Sequence, residues 1–71
     1  MDIKRRVKHE PYNRFRGALR ERGLTYGDVS RALMISEPTV NQKISGVSDF
    51  YVSEVDVIEK EFGIPYTVFF D

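Results

Sequence analysis

The side chains able to do chemistry gather between Glu37 and Ser45. Val40 and Ile44 lie four apart, so on a helix they share one face and turn inward. Thr39, Asn41, Gln42, Lys43 and Ser45 are left on the outer side. Hydroxyl, amide and ammonium groups displayed in this way donate and accept hydrogen bonds. Bond-breaking chemistry needs more. The chain has no Cys and no glycine-rich phosphate loop, and its one His, His9, has no metal-ligand partner at a usable spacing. Glu59 and Glu61 are two apart, so a helix does not bring them face to face. No enzyme, cofactor or metal site is expected. His9 reads as a surface residue, and the chemistry on offer is recognition of another macromolecule.

Local signals fix the elements that must hold this face. Ser36 can cap a helix over 37–45, with Glu37 at the positive end of its dipole and Pro38 tolerated in the first turn. Gly46 supplies a left-handed stop. Upstream, Thr25 can cap a second helix whose Val29, Ala32 and Leu33 fall on one face and which ends at Met34–Ile35. A helix over about 12–22 sets Phe15, Ala18 and Leu19 inward, with Arg14, Arg16 and Arg20 outside and Gly23 as its stop. Phe50 sits in an otherwise polar loop and is expected to plug the core. Ser53 is the expected cap of the last helix, where Val55, Ile58 and Phe62 form the inner face and Gly63 ends the run. Tyr66, Val68, Phe69 and Phe70 follow. One or two of these rings suffice to close a small core, so the surplus is either incidental or a surface for a second copy or another protein.

The 71 residues make one small all-α unit of four to five helices, with a basic arm over 1–11 and the folded body over 12–71. The arm either frays in solvent or lies along a nucleic-acid groove. No apolar run approaches a membrane span and no signal peptide is visible; the lack of Cys fits a reducing cytoplasm. Net charge is zero but unevenly spread. Residues 1–23 hold eight cations against three carboxylates, a net +5, whereas residues 47–71 hold one cation against six carboxylates, a net −5. A basic end of this kind suits phosphates, and the simpler reading is a charged surface that keeps a small domain dissolved.

The stretch LTYGDVSRALMISEPTVNQKISG, residues 24–46, resembles the helix-turn-helix of the lambda-repressor and Cro-like family. Thr25, Val29, Ile35, Ser36, Thr39, Val40 and Gly46 match the family pattern. Tyr26 stands where the family has Gln, Ser30 where it has a small Ala, and Met34 where it has the turn Gly; a Met in a left-handed turn is strained. The run SEVDVIEKEFGIP and the closing FF are similar to small phage-encoded members of the family, which implies the cytoplasm of a bacterial host cell.

The resemblance implies a compact lambda-repressor-like DNA-binding domain whose second motif helix enters the major groove of double-stranded DNA. Glu37, Pro38, Thr39, Asn41 and Gln42 are then the candidates to meet bases. Asn41 and Gln42 can pair with adenine, Glu37 can accept from cytosine, and Pro38 and Thr39 can touch a thymine methyl. Tyr26, Lys43, Ser45, Ser48, Arg14 and Arg16 are the candidates to meet phosphates. A useful operator normally needs a dimer, for which the aromatic tail is the available surface. The rival is an antirepressor of the modulator-of-repression type, which binds a partner repressor's DNA-binding domain. Zero net charge, the acidic Glu37 and the departures at Tyr26 and Met34 suit that role.

Overall fold

In a computed structural model the regular elements of the described residues, 9–70, are all helical: α1 spans Asn13–Glu21, α2 Tyr26–Leu33, α3 Glu37–Ser45 and α4 Val52–Phe62, and a 3-10 turn covers Tyr66–Phe69. No strand occurs among the described residues, and no helix among them is long and apolar enough to cross a membrane. Residues 1–8 of the arm proposed over 1–11 lie outside the described residues, and within its last three residues His9 packs on Tyr12.

Short-range chemistry sets the motif helices. The Thr25 hydroxyl accepts from the Asp28 N–H (3.2 Å), and the Asp28 carboxylate accepts in return from the Thr25 N–H (2.8 Å). This reciprocal cap satisfies two otherwise orphaned donors at the start of α2. The donated Thr25 N–H, helped by the Thr25 hydroxyl, holds the Asp28 carboxyl below the usual carboxylate range. Ser36 caps α3 by accepting from the Thr39 N–H (3.3 Å), and Gly46 ends it at φ 109°.

Between α2 and α3 the chain turns on Met34, at φ 60° and ψ 43°. The N–H of Ile35 reaches back to the carbonyl of Ser30 (3.0 Å), so the left-handed residue lets the chain satisfy the end of α2. Met34 is the one non-glycine residue with positive φ among the described residues, and its side chain is 90% exposed. Little packing offsets the strain. Met34→Gly should therefore stabilise the fold by about 1 kcal/mol, seen as a thermal midpoint higher by roughly 4–8 °C.

The core gathers Phe15 and Leu19 of α1, Val29 of α2, Val40 and Ile44 of α3, Ile58 of α4, then Ile64 and Phe69. Phe50 packs edge-on to Phe15 (5.8 Å between centroids) and to Phe69 (5.3 Å), as the loop ring was expected to do. Of the tail's rings, Phe69 is buried, whereas Tyr66 and Phe70 stay exposed.

One boundary differs from the sequence reading. α4 is entered from Tyr51, not Ser53. The Glu54 carboxylate accepts from the Tyr51 N–H (2.9 Å), which starts the helix two residues early and leaves Ser53 exposed in its first turn.

Candidate functional site

The outer face of α3 carries Glu37, Pro38, Asn41 and Gln42, all exposed. Glu37 with Asn41, and Pro38 with Gln42, are pairs four apart, so the four side chains form one continuous strip. Thr39 stands at its edge, half-buried, its hydroxyl paired with that of Ser36 (2.8 Å). Ser45, also half-buried, donates to the Gln42 carbonyl (3.3 Å).

Lys43 is not on this strip. It is 6% exposed, and its ammonium donates to the Glu54 carboxylate and to the Asp49 carbonyl, both at 3.0 Å, while lying 4.4 Å from the centre of the Tyr51 ring. The expected phosphate contact is thereby corrected: this charge is spent inside the fold. Lys43 follows Val40 by three residues and so flanks the buried stripe, where its long stem can pack. With Lys43 turned in, α3 has no exposed cation, and Glu37 is its outward charge.

Arg31 of α2, paired with Asp28, and the Glu37 carboxylate both border Gly27, and α1 adds further basic groups. Arg16 donates from Nε to the Tyr26 hydroxyl and from Nη1 to the Asn13 side-chain oxygen, both at 3.1 Å. Two residues selected separately from the sequence, Arg16 and Tyr26, are thus in contact. With Leu19, Arg20 and Leu24 they line a shallow depression of about 320 Å³. Arg20 was not among the sequence candidates; its place one helical turn after Arg16 is the signal that could have found it. The hydroxyl of Tyr26 accepts from Arg16 and so keeps its own proton to donate outward.

Arg14 is exposed, as its outward place on α1 implies, whereas His9 differs from expectation. Arg14 donates to the Phe70 carbonyl (2.9 Å), which ties α1 to the C-terminal segment and directs this arginine away from Tyr26. His9 is no isolated surface group. Its ring stacks on Tyr12 at 4.0 Å, with Nε2 at 2.8 Å from the Ser48 carbonyl and Nδ1 at 2.6 Å from the Glu10 carbonyl. Ser48 is accordingly half-buried, its N–H donated to the Gln42 carbonyl (3.2 Å). Both contacts join residues far apart in the chain, which no local pattern announces.

Compared with protein-family models, curated proteins and solved structures, the chain matches none, so what can be said of this face comes from its own residues and geometry.

Proposed function

We propose that this protein is a sequence-specific DNA-binding regulator of the lambda-repressor and Cro-like kind, with α3 as the helix that enters the major groove. The observation that carries the reading is the exposed strip Glu37, Pro38, Asn41 and Gln42 on a helix capped at Ser36 and joined to α2 by a tight turn. Asn41 and Gln42 have the donor and acceptor pairs that adenine presents in that groove. Arg16, Arg20 and Tyr26 supply the phosphate contacts that fix the register of the helix. Glu37 favours a cytosine N4 donor and disfavours close phosphates.

The test is titration of the pure protein against a pool of random duplexes at several salt concentrations. Affinity should fall linearly as log[salt] rises, with selection of a short preferred sequence. Absence of binding even at low salt would overturn the reading.

A second reading is favoured by one specific observation: α3 presents a carboxylate and no exposed cation. Such a face suits a basic protein surface, as in an antirepressor that covers a partner repressor's DNA-binding domain. Recovery of a repressor from host extract, together with failure to bind DNA, would select it.

A further inference from the structure

A groove of about 410 Å³ runs between α4 and the C-terminal segment. Phe50, Val55, Phe69 and Phe70 line it, with Val52 and Tyr66 at its sides. Much of this apolar surface is open: Val52 is 87% exposed and Phe70 61%. The charged residues in the lining are Asp49, Asp56 and Glu59; no Lys or Arg is among them. Asp56 has Lys60 beside it (3.1 Å), but that pair is exposed and screened. Asp49 already accepts from the Tyr12 hydroxyl (2.6 Å), and its carboxylate adds negative potential at the same rim.

An apolar floor with an acidic rim is selective. A second copy docked face to face across a two-fold axis would set this rim against itself, and like charges so placed repel. Nucleic acid is repelled for the same reason. A partner with cations around apolar anchors gains on both counts: its anchors cover Phe70 and Val52, and its Lys or Arg groups meet Asp56 and Glu59. We infer that this groove is a docking site for a cationic amphipathic segment of another protein, with Phe50, Val55 and Phe70 as its floor and Asp56 and Glu59 as its charge readers. No residue of α3 lines the groove, so the inference does not rest on the DNA-binding reading and leaves that face free.

The experiment uses the full chain and a labelled synthetic peptide of Lys and Arg around one Trp and two Leu, with a Glu-substituted counterpart as control. Fluorescence anisotropy should show binding of the cationic peptide that weakens with salt, and none of the control. The exposed pair Asp56→Lys and Glu59→Lys should lower affinity about tenfold or more, a change of roughly 1.4 kcal/mol or more. Val52→Ser, at the exposed first position of α4, should also weaken it while leaving the fold intact, because it removes apolar area without adding charge. Equal binding of both peptides, or affinity unmoved by the charge reversal, would overturn the proposal. So would a sedimenting dimer broken by Val52→Ser, which gives the groove to a second copy. Binding only after removal of residues 1–8 gives it to the protein's own basic arm and equally overturns the proposal.

Discussion

Lys43→Ala should cost about 3 kcal/mol of stability and lower the thermal midpoint by roughly 12–24 °C. The reason is what the truncation leaves behind. Glu54 is nearly as buried as its partner, and without the ammonium its carboxylate keeps only the Tyr51 N–H. The Asp49 carbonyl loses a donor at the same time. Removing one member of a buried ion pair strands the other in a poorly solvated place, which costs far more than the net worth of the pair. For a domain of this size, whose whole stability is about 4–10 kcal/mol, that is a large share. Replacing both partners together, as Lys43→Met with Glu54→Gln, should recover most of the loss, since Met keeps the stem's volume and Gln keeps the acceptor for Tyr51. Urea unfolding of the two singles and the double closes the cycle. A loss under about 1 kcal/mol for Lys43→Ala would mean the pair is solvated after all. The double variant, folded, should also bind DNA with an unaltered salt slope, because this charge faces the interior.

Gln42→Ala should weaken binding to the preferred sequence by about 1–3 kcal/mol, or roughly 5- to 150-fold, and relax selection at one base position. Its amide is exposed on the strip and offers the paired donor and acceptor that a single adenine can take up. Arg16→Ala should act differently, lowering affinity on all sequences and reducing the salt slope by about 1. Tyr26→Phe separates the two roles of that residue. It removes the hydroxyl that accepts from Arg16 while keeping the ring, and so should resemble a weakened Arg16→Ala, not Gln42→Ala. Selection on random duplexes with each variant reads both effects at once. A Gln42→Ala protein with the parent's base preference would remove α3 as the reading element.

The contrast between these residues shows what local pattern can carry. Thr25, Ser36, Gly46 and the Val40–Ile44 spacing announce α2, α3 and their turn because capping and stop signals act within a few residues. The same logic failed at α4, where Ser53 is the better cap by type. The Glu54 carboxylate, reaching back to the Tyr51 N–H, moved the start. Lys43 and His9 were misplaced, and the tether of the exposed Arg14 was missed, for another reason. Each is positioned by a partner far along the chain, respectively Glu54, Phe70 and Ser48, and a helical wheel holds no record of such partners. Charge by itself suggested solvent for all three. Position supplied one hint, since Lys43 borders the inward stripe and its stem could be buried even if its charge needed a mate.

Asp49 has a further consequence for how the molecule comes apart. Its carboxylate accepts from the Tyr12 hydroxyl and the Phe50 N–H, its carbonyl accepts from Lys43, and the His9 ring lies 3.6 Å away. The segment entering α1 (His9 and Tyr12), the end of α3 (Lys43) and the entry to α4 (Phe50) therefore meet on one short acidic residue. None of them can loosen without disturbing the rest, so fraying at the entry to α1, the end of α3 and the entry to α4 is a shared event rather than three separate ones.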